Sequence, residues 1–306
     1  SRVLYSSGGA EIVLAGNSTM LKDRASGKLL RIPAQYLEEH IVMPDLLIES
    51  ADGVATLTMN RPQARNALSL EMRAGLDEAF HRFESDDTVR CVVLCGAGEH
   101  FMAGGDVKSF AGILADEDVD IRDLLLHRIH TLHSIMFAMR RLPKPIVASV
   151  RGAAAGAGVS LAACCDLIIA SEDAFFTLAY TRIGTSPDGG STYALPRALG
   201  VKKTMEMALL GDRLDAEAMA RFGLVNFVVP TDDLDAETAK LAQRLASGPT
   251  RAHGQAKQLI YGSLENQMER QLQMEAEAFA DCATTEDFRE GVTAFVEKRR
   301  AGFQGK

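Results

Sequence analysis

Short apolar runs alternate with amphipathic stretches through most of the chain. Two apolar runs, LLIES from Leu46 and VATLTMN from Val54, flank a polar turn at residues 51–53 and predict a β-hairpin. Residues 68–83 carry apolar side chains at helical spacing, and residues 89–95, apolar except at Arg90, have the pattern of a buried strand. Strands separated by helices are typical of βαβ units, so the pattern predicts an α/β core.

The same alternation continues toward the middle of the chain. Residues 121–142 have the pattern of a long helix that ends before Pro143, because a proline disfavours helical geometry in the residue before it. A strand is predicted at residues 145–150, and residues 159–170 predict a short helix that leads into another strand.

The last third of the chain has a more helical pattern. Asp215 and Gly223 bracket a short helix as N-cap and C-terminal glycine, and a short strand follows at residues 224–230. An apolar stripe at helical spacing comes next, formed by Leu264, Met268, Leu272, Ala276 and Phe279. We therefore predict an α/β core at residues 43–240 and a C-terminal helical lobe at residues 241–306.

Residues 1–42 differ from this pattern and form an N-terminal extension of unclear role. An alternating apolar segment at residues 11–16 and the segment 33–42 are its main features, and the charge of the extension is mixed. Met43 after them is a candidate alternative start. An accessory hairpin or an oligomer contact would fit this composition.

Composition and charge narrow the class of protein. The 306 residues carry 33 Lys and Arg against 41 Asp and Glu, a formal net charge of −8, so nucleic acid is an unfavoured partner. The chain has 5 cysteines, and this odd number indicates free thiols in a reducing compartment. The cysteines do not have the spacing of metal ligands. No uncharged run is long enough to span a membrane, and we expect a cytoplasmic protein without a metal site.

Two glycine-rich loops follow predicted strands and are the first candidates for chemistry. They occupy residues 96–107 and 151–160. Small residues let the backbone approach a ligand closely and leave N–H groups free for an anionic oxygen. A dinucleotide site is disfavoured because Leu161 stands where the GxGxxG pattern requires its third glycine.

Six segments in order resemble the crotonase superfamily of enoyl-CoA hydratases and isomerases. They are NRPQARNALS at 60–69, HFMAGGDVKSF at 100–110, VRGAAAGAGVSLAACCDLIIASEDAFF at 150–176, GTSPDGGSTYALPRALG at 184–200, LLGDRLDAEAMARFGLVNFVVP at 209–230 and TEDFREGVTAFVEKR at 285–299. The resemblance implies a crotonase-like spiral of ββα repeats with a C-terminal helical trimerisation lobe. It also implies a homotrimer or dimer of trimers and an acyl-CoA thioester as substrate, without a further cofactor.

The resemblance assigns roles to individual residues. The backbone N–H groups of Ala103 and Ala157 match the oxyanion hole of the family, which would stabilise the negative charge on a thioester enolate. Positions that cradle coenzyme A in relatives match Arg65, Ala67, Leu68, Gly104, Gly105 and Asp106. Lys298 matches a position that in relatives reaches the phosphates of the coenzyme A bound to a neighbouring subunit. A cation at the C-terminal end of a helix also complements the helix dipole, which is a structural role open to Lys298.

The chain departs from the family pattern at the two hydratase glutamates. Ser160 and Tyr180 stand at those positions. A serine hydroxyl needs a partner base, and a tyrosine titrates near pH 10, so neither is a general base at neutral pH.

Asp188, between Pro187 and Gly189, is the remaining candidate for proton transfer. In relatives this turn carries a catalytic aspartate, and a single carboxylate suits a proton shuttle between two carbon atoms. An aspartate at this place is also an ordinary turn residue and N-cap for the next helix.

These residues favour an enoyl-CoA isomerase that stabilises a thioester enolate. The alternatives are an enoyl-CoA hydratase with atypical acid and base residues, a decarboxylase that needs only the enolate site, and a catalytically silent acyl-CoA-binding module. A dehalogenase is disfavoured because that branch of the family uses a Trp, and the chain has 0 Trp.

Overall fold

The computed structural model describes residues 44–306 and, before them, the backbone of four strands. These strands pair in sequence order as an antiparallel sheet. They are β1 (Arg2–Tyr5), β2 (Glu11–Ala15), β3 (Ser18–Lys22) and β4 (Leu29–Arg31). Residues 11–15 of the alternating segment thus form a strand, whereas segment 33–42 and Met43 lie outside the described residues.

Nine further strands form two sheets. They are β5 (Leu46–Ala51), β6 (Val54–Met59), β7 (Cys91–Gly96), β8 (Ile146–Val150), β9 (Ala153–Ala155), β10 (Leu167–Ser171), β11 (Phe175–Thr177), β12 (Leu214–Asp215) and β13 (Phe227–Val229). The main sheet has the order β13-β10-β8-β7-β6-β5, and a small sheet has the order β12-β11-β9.

The main sheet is parallel except at its β5 edge. Antiparallel β5 and β6 form the predicted hairpin, with Ala51 opposite Val54. The pairs β6–β7, β7–β8, β8–β10 and β10–β13 are parallel, as the alternation of strands and helices predicts. Strand β9 follows β8 after two residues and leaves the main sheet for the small one, which brings the second glycine loop to the end of the core.

Helices connect and cover these strands. They are α1 (Leu70–Ser85), α2 (Val107–Leu114), α3 (Ile121–Arg141), α4 (Ala157–Cys164), α5 (Ser191–Leu199), α6 (Val201–Leu210), α7 (Ala216–Arg221), α8 (Leu234–Ala246), α9 (Thr250–Ser263), α10 (Met268–Ala283) and α11 (Glu286–Glu297). The predicted N-cap of α7 is confirmed, because the Asp215 carboxylate accepts from the Ala218 N–H at 2.7 Å.

The core lies on both faces of the main sheet. One cluster joins buried residues of α1, α3 and α4 to β6–β8, with Phe80, Phe83 and Met72 fully buried. On the other face, Leu234, Ala242 and Ala246 of α8 pack in a second cluster with residues of β7, β8 and β10. Helix α8 crosses the predicted border at residues 240 and 241 without a break, so this helix packs as part of the core.

The C-terminal helices leave much apolar surface exposed in the single chain. Phe279, Met268 and Leu272 of the predicted stripe are at least half exposed, and Phe295 on α11 is 85% exposed. An apolar area of this kind is typical of a protein–protein contact, and the predicted trimer stays a prediction.

Two features of other protein classes are absent from the described residues. None of the described helices is both long and apolar enough to cross a membrane. Among residues 44–306 and the four N-terminal strands, no group of three His, Cys, Asp or Glu side chains is arranged to hold a metal ion.

Candidate active site

The two glycine-rich loops lie against each other at the end of the core. The Met102 N–H donates to the Ala153 carbonyl at 2.9 Å, and the Ala155 N–H donates to the Met102 carbonyl at 2.8 Å. Gly104 has φ +101°, and a Cβ atom on it would lie 3.1 Å from the Ala155 carbonyl oxygen and 3.7 Å from the Gly156 Cα. The loops therefore touch through Gly104 and Gly156, which a side chain at position 104 would prevent.

Helix α4 begins directly after this contact, at Ala157. The N–H of a first helical residue has no partner within its helix, and the Ala157 N–H has no acceptor among residues 44–306. The positive end of the α4 dipole reinforces this donor. Ala157 is thus available as the predicted hydrogen-bond donor for an anionic oxygen.

The second predicted donor, Ala103, is not available in this structure. Its N–H donates to the Arg65 carbonyl at 2.9 Å, which makes the prediction for Ala103 wrong. The N–H of Gly105, two residues further, has no acceptor among the described residues 44–306. Since Gly104 touches Gly156, the residues that follow them, Gly105 and Ala157, carry the free donors on the two facing loops.

Asn66 holds the Arg65 carbonyl where it accepts the hydrogen bond from the Ala103 N–H. Arg65 and Asn66 both have left-handed backbone geometry, with φ of 49° and 56°. Asn66 is completely buried; its amide donates to the carbonyls of Ala97 and His100 and accepts from the Arg61 N–H. These bonds join the 61–66 segment to the first glycine loop, a link that the sequence analysis missed although asparagine tolerates this geometry well.

Asp188 presents its carboxylate away from its own turn. The Asp188 carbonyl, rather than its side chain, accepts from the Ser191 N–H at 3.2 Å, from the Ser191 hydroxyl at 3.0 Å and from the Ser160 hydroxyl at 2.9 Å. The carboxylate accepts a bond from the Tyr180 hydroxyl at 2.5 Å. The side chain therefore does not cap α5, which removes the structural role that its turn position suggested.

Ser160 and Tyr180 both support Asp188. Burial and the neighbouring Asp188 carboxylate raise the pKa of the Tyr180 hydroxyl well above its ordinary value, so it stays a neutral donor. A Cβ atom on Gly156 would lie 3.7 Å from the Tyr180 Cζ, which brings the phenol next to the start of α4. The two residues at the hydratase glutamate positions thus hold a third residue, Asp188, beside the Ala157 donor.

Arg73 on α1 is a charged neighbour that the sequence analysis missed. Its side chain is only 8% exposed, and its guanidinium donates to the Arg128 carbonyl on α3 at 3.0 Å. Burial lowers the pKa of Arg73 and the nearby Arg128 lowers it further, whereas Asp188 raises it. An arginine on an amphipathic helix looks like a solvated surface charge in a sequence, so periodicity gave no signal for it.

The predicted coenzyme A positions form a second group around the first glycine loop. Asp106 makes an ion pair with Arg61 at 3.1 Å, and the Leu68 N–H donates to the Gly104 carbonyl at 2.8 Å. The Ala67 carbonyl accepts from Arg61 at 2.7 Å. Arg65, Ala67, Leu68, Gly104, Gly105 and Asp106 therefore belong to one connected region, with the Arg65 residue exposed.

Lys298 lies elsewhere, at the C-terminal end of α11. It is the C-cap residue with left-handed geometry, φ 54°, and it is exposed. The single chain does not bring Lys298 into the glycine-loop region by any described contact. Its predicted role toward a neighbouring subunit stays a prediction.

Two cavities of the described chain lie away from these residues. One of about 650 Å³ is bordered by Arg90, Thr250 and the tail at 304–306, and a smaller apolar one lies between α9 and α11. Neither contains Asp188, Tyr180 or the free donors. The polar residues, rather than cavity size, identify the candidate site.

The chain is similar to known proteins over nearly all of its described length. The family described as enoyl-CoA hydratase/isomerase matches residues 49–306. The 1,2-epoxyphenylacetyl-CoA isomerase of Escherichia coli strain K12 is 38% identical over 269 residues, 87% of this chain and 100% of that protein. The trans-2-decenoyl-[acyl-carrier-protein] isomerase of Streptococcus mutans is 33% identical, covering 86% of this chain and 98% of that protein.

The solved structures show the same fold. The crystal structure of an enoyl-CoA hydratase from Polaromonas sp. JS666 superposes with a TM-score of 0.80 at 32% identity, covering 84% of this chain and 99% of that one. Together, the family match, these relatives and the α/β core with its helical C-terminal region establish that the chain belongs to the enoyl-CoA hydratase/isomerase family of the crotonase superfamily.

Proposed function

We propose that the protein is an enoyl-CoA isomerase that shifts a carbon–carbon double bond with Asp188 as its only proton shuttle. The observation that carries this proposal is the hydrogen bond from Tyr180 to the Asp188 carboxylate beside the N-terminus of α4. An acyl-CoA thioester is the substrate class of the family, and no other cofactor is needed for this chemistry.

The free N–H groups of Gly105 and Ala157 would stabilise the enolate. When a base removes a proton from the carbon next to a thioester, negative charge develops on the carbonyl oxygen. Preset donors that need no reorganisation stabilise that charge, typically with an effect of about 10²–10³-fold for each donor. Gly105 takes the role that the sequence assigned to Ala103, since the Ala103 N–H is occupied by Arg65.

Asp188 would then move one proton in two steps. Its carboxylate removes a proton from C2 of a 3-enoyl thioester, and the electrons of the broken C–H bond enter a dienolate that ends on the thioester oxygen. The protonated Asp188 returns the proton to C4, so the double bond moves to C2–C3 and the carboxylate is regenerated. No water enters this sequence, in agreement with a site that has a single carboxylate.

Hydration has weaker support from these residues. Adding water to a 2-enoyl thioester requires one group to activate the water and another to protonate C2. Tyr180 stays neutral and is already bonded to Asp188, and the Ser160 hydroxyl donates to the Asp188 carbonyl. Both side chains at the hydratase positions are therefore occupied as donors.

The binding of coenzyme A and the assembly complete the proposal. Arg65, Ala67, Leu68, Gly104 and Asp106 would contact the coenzyme A portion, because they surround the first glycine loop beside the free Gly105 donor. A homotrimer or dimer of trimers would cover the apolar surface of α10 and α11, and Lys298 would reach a neighbouring subunit.

Two assays with the purified protein test the proposed reaction. A 3-enoyl-CoA should be converted to the 2-enoyl-CoA, whereas hydration of a 2-enoyl-CoA should be slower by about 10²-fold or more, since general acid–base groups typically contribute 10²–10⁴-fold. Faster hydration than double-bond migration would overturn the isomerase proposal. Binding of acyl-CoA without either reaction would favour the silent binding module.

A further inference from the structure

Arg73 carries a buried charge whose hydrogen-bonding capacity is mostly unused. A guanidinium has five N–H donors. One terminal nitrogen of Arg73 donates to the Arg128 carbonyl, and the buried Nε has no hydrogen-bond partner among the described residues. No carboxylate of residues 44–306 lies within 4 Å of this guanidinium as an ion-pair partner.

This arrangement is costly for a residue that only stabilises the fold. Burying an unpaired charge is unfavourable, and replacing it by an apolar side chain of similar volume often stabilises a protein. The Lys257 ammonium shows how this chain satisfies another buried cation: it contacts the Asp166 carboxylate at 2.9 Å and the Met139 carbonyl at 2.8 Å. Arg73 lacks such a carboxylate, which indicates that its partner is not part of the chain.

The position of Arg73 connects it with the proposed reaction centre. Its partner carbonyl belongs to Arg128, one helical turn before Leu132 on α3. Leu132 Cδ2 would lie 3.4 Å from a Cβ atom on Gly189, the residue after Asp188. Helix α3 thus contacts Arg73 through Arg128 and, one helical turn later, the segment that presents the proton shuttle through Leu132. The Asp188 carboxylate is close enough to Arg73 to raise the pKa of its guanidinium.

The local charges favour an anion. Arg73 and Arg128 are cationic and Asp188 is anionic, so the three side chains together carry one net positive charge. A guanidinium presents its donors as a planar fork that matches a carboxylate. A carboxylate at the distal part of the acyl chain would supply the missing partner and balance this charge.

We infer that Arg73 binds a carboxylate on the acyl group, and that the preferred substrates are monothioesters of unsaturated dicarboxylic acids. This inference rests on the proposed function, because it takes the reacting carbons to lie beside Asp188. The substrate carboxylate lies a few carbon atoms beyond them, on the α1–α3 side of the site.

Three thioesters of matched length test the inference: a 3-enoyl-CoA that ends in a carboxylate, its methyl ester and the corresponding hydrocarbon. The wild-type protein should show the highest kcat/KM for the carboxylate. The selectivity is kcat/KM for the carboxylate divided by kcat/KM for the hydrocarbon. Arg73→Met should lower this ratio by about 10–10²-fold, since a hydrogen bond to a charged group contributes about 1.5–3 kcal/mol. Arg73→Lys should retain part of the ratio because it keeps the charge but loses the fork.

A control variant and a binding measurement separate the possible outcomes. Arg244→Met removes an exposed arginine of α8 and should leave the ratio unchanged. An equal loss for all three substrates in Arg73→Met would overturn the inference and make Arg73 a positioning residue for Asp188. Preference of the wild-type protein for the methyl ester or the hydrocarbon would overturn it as well.

Calorimetric titration with the saturated carboxylate and hydrocarbon thioesters keeps the test valid if the isomerase proposal fails. Tighter binding of the carboxylate by the wild-type protein, lost in Arg73→Met, would support the inference without turnover. Equal binding of both thioesters would contradict it. Circular dichroism and thermal unfolding of each variant establish that the compared proteins are folded.

Discussion

Two tyrosine–aspartate pairs in this chain have similar chemistry and different surroundings. Tyr261 donates to Asp166 at 3.0 Å, and Tyr180 donates to Asp188 at 2.5 Å. In both pairs, burial and the carboxylate raise the pKa of the tyrosine, so each phenol stays neutral. The difference between the pairs lies in what else each carboxylate contacts.

The Asp166 carboxylate is fully engaged by the protein. Besides Tyr261, it accepts from the Ile146 N–H at 2.8 Å and pairs with the Lys257 ammonium at 2.9 Å. Burial raises the pKa of Asp166, while the Lys257 charge opposes this effect. This pair joins the strand β8 edge to helix α9, and all of its bonding capacity serves the fold.

The Asp188 carboxylate has one protein donor and keeps capacity for another partner. Among residues 44–306, Tyr180 is the donor that contacts it. It lies beside a free N–H group at the start of α4 and near an arginine that forms no ion pair with it. The Asp166 carboxylate therefore serves the fold, whereas the proposed proton transfer would use the hydrogen-bonding capacity that Tyr180 leaves open on Asp188.

Exchanging each aspartate for asparagine gives the largest contrast between the pairs. Asp188→Asn keeps the shape and loses the base, so isomerisation should fall by about 10²–10⁴-fold while the free energy of unfolding changes little. Steady-state kinetics with a 3-enoyl-CoA and urea unfolding measure the two quantities. Normal turnover in the variant would return Asp188 to a structural role.

The matching change in the other pair should act on stability. Asp166→Asn leaves the buried Lys257 ammonium without its counter-charge, which should reduce the free energy of unfolding by about 3–5 kcal/mol. The kcat of the folded fraction should stay at the wild-type value because the Asp166 carboxylate contacts Ile146, Tyr261 and Lys257 and none of the candidate site residues. A variant with wild-type stability and reduced kcat would reverse the roles of the two aspartates.

Some of these residues were predictable from the sequence and others were not, and the reasons are physical. The strands and helices followed from hydrophobic periodicity. Asp188 is a prediction that rests on the resemblance of its Pro187–Gly189 turn to relatives, and the Tyr180 hydrogen bond to its carboxylate supports that prediction. The assignment of Ala103 was wrong because donor availability depends on the Arg65 carbonyl, a contact across the fold. Arg73 was missed because a pattern of charges does not show which one is buried.

The donor beside Asp188 offers the next contrast. Proline is favoured at the first position of a helix, so Ala157→Pro should keep α4 while removing its free N–H group. We expect kcat to fall by about 10²–10³-fold, the effect of removing one oxyanion donor. Ala157→Gly retains the N–H and is the matched control; equal kcat in the two variants would show that this donor does not contact the enolate.

The two phenols should give the smallest effects. Tyr180→Phe removes a hydrogen bond to a charged group, a contribution of about 1.5–3 kcal/mol, and should reduce kcat by about tenfold by releasing Asp188 from its orientation. Tyr261→Phe should lower the unfolding midpoint and leave kcat unaltered. Identical kinetic effects of both substitutions would mean that the Tyr180 bond has no special role in proton transfer.

Exchange of the α-proton tests the central role of Asp188 most directly, since it isolates the first proton transfer from the double-bond shift. A saturated acyl-CoA is incubated in D₂O with wild-type protein or with Asp188→Asn, and deuterium incorporation at C2 is followed by NMR while calorimetry reports binding. We predict exchange by the wild-type protein and at least about 10²-fold slower exchange by Asp188→Asn at unchanged affinity. Exchange at the wild-type rate in Asp188→Asn would contradict the assignment of Asp188 as the base.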